Sequence, residues 1–229
     1  KTAGLGVAPL KPDPDRYEHK FEHCDVLVIG SGPSGLASAL AAAKNGARVI
    51  LAEDKSQFGG SLLTDQVTIG NKTGKEWVDE TIEQLKSMPN VVVKNRSQVF
   101  GYYDHNMMVM LERTKDHVEN STEFMPRQRL WYIRAKEVVI STGSIERPLV
   151  FGNNDKPGII LASAAKEYMK VYGVLVGKKP IIFTNNDSAY DSAIEFKKNG
   201  IDPLVVDVRE KSESSVVKEA KSLNINIKF

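Results

Sequence analysis

A three-layer α/β fold, in which a parallel sheet carries an antiparallel meander and covering helices, is predicted by three features of this sequence. First, "VLVIGSGPSGLASALAAAKNGARVILAEDK" (residues 26–55) runs a buried-strand pattern, a glycine turn, an alanine-rich helical stretch and a second buried-strand pattern through about 30 residues, the size of one β-α-β unit. Second, the same strand-helix-strand order returns after Gly177. Third, the segments between them alternate apolar and polar residues, as antiparallel strands do.

Taken in chain order, residues 1–24 hold three prolines and no apolar period, and are read as an extended linker. "CDVLVIG" is a strand buried on both faces, Gly32 to Asn45 a helix stopped by Gly46, and "ARVILAE" the second strand of the unit. A right-handed crossover makes those strands parallel neighbours. "KEWVDETIEQLKSM" is an amphipathic helix and "NVVVKNRSQVFGYYD" one or two strands. "MMVMLERT" and "RLWYIRAKEVVIST", joined by a polar loop, are expected as a small meander laid beside the parallel sheet. After Gly177 come a strand and turn ("KKPIIFTNND"), a helix ("SAYDSAIEFKKNG"), a strand ("DPLVVDVR"), a helix ("ESSVVKEAKSL") and a last strand ("NINIKF"). The expected division is a linker at 1–24, a first dinucleotide-binding domain with its meander at 25–160, and a second, incomplete unit at 161–229.

Composition narrows the function classes. With 31 Lys and Arg against 29 Asp and Glu, a net charge of +2 provides no general field for nucleic acid or an anionic membrane. No apolar run approaches the roughly 20 residues of a membrane span, and the reading is cytoplasmic. The single cysteine, Cys24, excludes a Cys-x-x-Cys redox pair and any multi-cysteine metal site, and His19 and His23 beside it lack partners for a zinc ion. No metal is expected.

The chemistry lies in the glycine turn. Gly30 permits the tight bend after the strand, Gly32 has no Cβ to block a pyrophosphate, and Gly35 allows close helix-to-strand contact, while the helix start offers unpaired N–H groups and a positive dipole end to phosphates. Glu53, 21 positions after Gly32, ends the second strand where a carboxylate accepts hydrogen bonds from an adenosine ribose and repels a ribose phosphate, which disfavours NADP. Asp54 and Lys55 are candidates for the same sugar or the adenine. Ser61 follows the glycine pair Gly59–Gly60 and is a candidate for the phosphates or second ribose. Thr142 and Gly143, in "VVISTGS", are candidates to run under the cofactor, and the backbone of Val99 is a candidate for reading the adenine edge. In the second unit Thr184, Asn185, Asn186 and Asp187 stand where glycines would be expected, so that half is read as a degenerate Rossmann unit. No catalytic grouping is assigned. The fold class is therefore FAD/NAD(P)-binding and Rossmann-like, with NAD or FAD as the dinucleotide.

The stretch "HCDVLVIGSGPSGLASALAAAKNGARVILAEDKSQFGGSLL", with "GYYDHN", "STGSIERPLVFGNNDKPGIILASAA" and "NNDSAYDSA", resembles the α subunits of heterotetrameric sarcosine oxidase over nearly the whole chain. The resemblance implies a fragment of a longer subunit. It also implies a complex with β, γ and δ subunits that oxidises sarcosine to glycine, reduces oxygen to hydrogen peroxide and passes the methyl carbon to tetrahydrofolate. By the same resemblance, FAD and covalent FMN lie elsewhere in the complex. This segment would hold NAD through Gly30, Gly32, Ser34 and Gly35 at the pyrophosphate, Glu53, Asp54 and Lys55 at the adenosine, Ser61 after the glycine pair and Val99 at the adenine. The open alternatives are an FAD-dependent amine or pyridine-nucleotide oxidoreductase and a non-catalytic nucleotide-binding scaffold.

Overall fold

The architecture was obtained as a computed structural model, which describes residue 6 and residues 8–229. The remainder of the expected linker, residues 1–5 and 7, lies outside the described residues. The described residues form two compact units, one of those up to residue 60 with 69–143, the other of 61–68 with 144–229. The segment 144–160, expected with the first domain, thus belongs to the second unit.

In the first unit, β1 (Tyr17–Ile29) leads through α1 (Pro33–Lys44) to β2 (Val49–Ala52). Leu27 and Val28 of β1 and Leu51 of β2 are fully buried, as strands covered on both faces must be. α1 presents Gly35, Leu36, Ala39 and Ala43 to the sheet, a stripe at helical spacing, and ends as Gly46 takes φ +83°. Next come β3 (Thr68–Ile69) and β4 (Lys72–Thr73), a short two-stranded ladder, and α2 (Gly74–Ser87), opened by a capping box between Thr73 and Glu76. β5 (Val91–Lys94) and β6 (Ser97–Tyr103) are two strands, broken where Arg96 takes φ +51°. β7 (Met107–Arg113) and β8 (Gln128–Ile140) complete the unit.

These strands form one six-stranded sheet in the order β5-β2-β1-β8-β7-β6. β1, β2 and β5 run parallel, and β6, β7 and β8 form the antiparallel meander. The meander lies beside the parallel strands as expected and joins them in one sheet, because β8 pairs antiparallel to β7 and parallel to β1. One expectation needs correction: residues 17–24 are strand, not linker, since Tyr17 to Cys24 pair in register with Gln128 to Ala135. Phe21 stacks on Tyr132 there, with ring centroids 5.1 Å apart.

The second unit holds α3 (Ala162–Tyr172), absent from the sequence reading, then β9 (Ile181–Thr184), α4 (Ser188–Lys198), β10 (Leu204–Asp207), α5 (Ser215–Ser222) and β11 (Asn226–Lys228). β9, β10 and β11 make a three-stranded parallel sheet in the order β11-β10-β9. One core gathers Ala165 of α3, Ile182 of β9, Tyr190, Ala193 and Ile194 of α4, Val205 of β10 and Val217 of α5. Alternation along β9 leaves Ile181 and Phe183 exposed while Ile182 and Thr184 are buried. Among the described residues no helix is long and apolar enough to cross a membrane.

Candidate dinucleotide site

The first glycine turn connects β1 to α1, and its glycines answer different needs. Gly30 takes φ +94°, and a Cβ there would sit 2.4 Å from the Ser141 carbonyl oxygen. A Cβ on Gly35 would sit 1.9 Å from the Gly30 carbonyl oxygen. Both glycines are demanded by the chain's own backbone. Gly32 is not: its φ of −66° and ψ of −178° suit any residue, and a Cβ would meet nothing within 4 Å. Its bareness leaves open space at the cap of α1, where no side chain caps the helix and no acidic residue occupies the first turn. That N-terminus, with the N–H groups of Ser34 and Gly35 in its first turn, suits an anion. A bare Cα beside uncapped N–H groups fits the pyrophosphate of a dinucleotide.

Glu53 directly follows β2 and is only 7% exposed. Its Oε2 accepts the Ser31 N–H at 2.9 Å and the Ser31 hydroxyl at 2.5 Å, and its Oε1 accepts the Lys55 N–H at 3.0 Å. Burial would raise this carboxyl, but hydrogen bonds from Asp54, from the Ser31 hydroxyl and from the Lys55 and Ser31 N–H groups outweigh burial and hold it low. Asp54 is raised, by its hydrogen bond to Glu53 first and then by partial burial. The Arg113 guanidinium donates to the Asp54 carbonyl at 2.7 Å. Sequence reading placed a carboxylate at this corner; the structure adds that it is sunk into the turn and tied to the first glycine loop.

The residue that reading missed is Ser31. It is fully buried, and besides its bonds to Glu53 its Oγ accepts the Gly59 N–H at 3.2 Å, as its carbonyl oxygen does at 3.1 Å. This seats the second glycine pair beside the first turn, and a Cβ on Gly60 would lie 2.9 Å from the Gly32 Cα. The only signal in the sequence is a small hydroxyl residue between two glycines.

The other candidates fall in varied places. Ser34 is exposed in the first turn of α1, and Lys55 is exposed beyond β2. The loop of Thr142 and Gly143 lies against the first turn, since a Cβ on Gly30 would come within 3.3 Å of the Thr142 Cα; Gly143 takes φ +68°. Val99 packs against the core cluster of Leu27, Ile50 and Ile133, and its backbone runs along β6, an edge strand of the sheet. Ser61 lies exposed in the short 3-10 turn Gly60–Leu63 and is assigned to the second unit.

In the second unit the corresponding crevice is filled by the chain itself. Counting from the last residue of each first strand, Asn185, Asp187 and Tyr190 stand where Gly30, Gly32 and Gly35 stand in the first unit. Tyr190 is fully buried and its hydroxyl donates to Asp207 Oδ2 at 2.8 Å. Arg209 bonds both oxygens of Asp207 and also Asp187 at 2.8 Å. The Arg209 guanidinium holds the Asp207 carboxyl below its ordinary range, while burial and then Asp207 push the Tyr190 phenol up to about 12. An aspartate at the pyrophosphate position and an aromatic ring in place of the third glycine leave no cradle of the first unit's kind.

Cys24 is 3% exposed, and burial pushes its thiol up to about 11. We expect no reaction with a disulfide reagent at about pH 8 in the folded protein and one thiol per chain after denaturation; rapid native labelling would show that β1 is open. Among the described residues no group of three or more His, Cys, Asp or Glu is placed to hold a metal ion.

Fold and glycine turn together define an FAD/NAD(P)-binding, Rossmann-like chain, and residues 25–125 match the family model of FAD dependent oxidoreductases. L-Proline dehydrogenase from P. horikoshii shares the fold with a TM-score of 0.68 and 26% identity, over 86% of this chain and 38% of that one. The chain is homologous to a segment of sarcosine oxidase subunit alpha: it is 47% identical to that of Rhizobium meliloti (strain 1021) over 90% of this chain, and 38% identical to that of Corynebacterium sp. (strain P-1) over 98%. It spans 21% and 23% of the lengths of those two relatives.

Proposed function

We propose that this chain is the NAD-binding segment of a sarcosine oxidase α subunit, in a complex with the other subunits that oxidises sarcosine to glycine with oxygen and tetrahydrofolate. The observation that carries the nucleotide part is the bare face of Gly32 at an uncapped helix start, where an added Cβ would meet no described atom within 4 Å. The N–H groups of Ser34 and Gly35 would take the pyrophosphate, Gly30 and Gly35 would shape the turn, and Glu53 would accept the adenosine ribose hydroxyls. Asp54, Lys55 and Val99 would border the adenosine, with Ser61, Thr142 and Gly143 as further contacts. NAD, when bound, is a hydride acceptor; the residues described here bind and orient it, and bond breaking is assigned to flavins in other subunits.

A second reading, FAD in the same turn, is favoured by the family model over residues 25–125. Both dinucleotides present the same ADP half, so the turn accommodates either. The deciding experiment is to denature the purified protein, identify the released nucleotide by mass spectrometry, and titrate the emptied protein with NAD and with FAD. NAD released or tightly bound is the expected result. FAD instead would replace the first reading with the second, and binding of neither would leave a scaffold.

A further inference from the structure

We infer that Ser31 is a positioning residue for recognition of the adenosine ribose, acting through Glu53; this rests on the dinucleotide reading of the site. A glutamate side chain has three rotatable bonds, and in a site only 7% exposed its carboxylate needs donors to remain charged. Here one oxygen, Oε2, receives both donors of Ser31, the N–H at 2.9 Å and the hydroxyl at 2.5 Å. Any residue at this position would provide the N–H. Only a hydroxyl side chain provides the second bond and, on the same atom, an acceptor for the Gly59 N–H at 3.2 Å. The Oγ therefore joins Glu53 to the Gly59–Gly60 pair, which itself lies against Gly32. Ser31 never faces solvent, so its effect on a ligand passes through the carboxylate it orients.

The test uses the nucleotide-free protein with ADP, the half common to NAD and FAD, and with 2′-deoxy-ADP. The unsubstituted protein is expected to bind ADP about tenfold more tightly than the deoxy compound, the worth of one lost hydrogen bond to a charged group. Ser31→Ala is expected to weaken ADP about tenfold and to shrink the preference for ADP over 2′-deoxy-ADP toward unity. In a Glu53→Ala background, Ser31→Ala should cost little further, because the side chain it orients is gone. Tryptophan fluorescence, reporting Trp77 and Trp131 of the first unit, checks that each variant is folded. If Ser31→Ala keeps the preference for the 2′-hydroxyl, or weakens ADP equally with and without Glu53, Ser31 is only structural and the inference fails. If Ser31→Ala does not fold, Ser31→Cys, slightly larger and only a weak donor and acceptor, is read the same way. Failure of the unsubstituted protein to bind ADP would instead overturn the dinucleotide reading itself.

Discussion

Gly35→Ala should lower the thermal midpoint of the first unit by about 10 °C, a loss of roughly 3 kcal/mol. The added Cβ would lie 1.9 Å from the Gly30 carbonyl oxygen, a contact with backbone that no rotamer can relieve. Relief requires α1 to move away from the turn, and α1 carries the fully buried Leu36 and Ala39 against the sheet. A fully buried leucine is worth about 1.5–3 kcal/mol, so even partial separation of that face removes a large part of a domain's typical 5–15 kcal/mol. Trp77 and Trp131 both lie in the first unit, so fluorescence melting isolates its transition from the tryptophan-free second unit. A midpoint within about 2 °C of the parent would mean that the turn is wider than described.

The glycine turn was legible because local geometry dictates each of its residues, and strand, turn and helix are adjacent in the chain. Glu53 was legible by its distance along the chain from the turn. Ser31 was not, since its role is created by bonds to Glu53 and Gly59, 22 and 28 positions away. The start of β1 was hidden for a related reason. In "YEHKFEH" ring side chains alternate with charged ones, a strand pattern without an apolar run, and it becomes a strand through pairing with β8 far along the chain. The same long-range pairing makes β8 both the edge of the meander and a member of the parallel sheet, two roles its own alternation does not separate. In the second unit, "TNND" announced a changed turn, while the bond from Tyr190 to Asp207, 17 positions away, forms only in the fold.

A glycine motif does not say which glycine serves the fold and which the ligand, and Gly32→Val separates the two. We expect it to weaken NAD, or FAD if that is the resident nucleotide, at least about a hundredfold, some 2.7 kcal/mol, with the first unit still folded. The backbone at Gly32 is extended, as the residue before Pro33 should be, and a valine adopts that conformation without strain. Valine is a poorer helix cap than glycine, but it also restricts the unfolded chain, so the net change in stability should stay within about 1 kcal/mol. The branched side chain would then occupy the space beside the first N–H groups of α1, where a phosphate must approach within hydrogen-bond distance. Isothermal titration and fluorescence melting on the same preparation read both quantities. Loss of binding with the fold retained assigns the open face of Gly32 to the phosphates. Undiminished binding would mean that the nucleotide does not sit on this turn, and the assignments of Glu53 and Ser31 would fall with it.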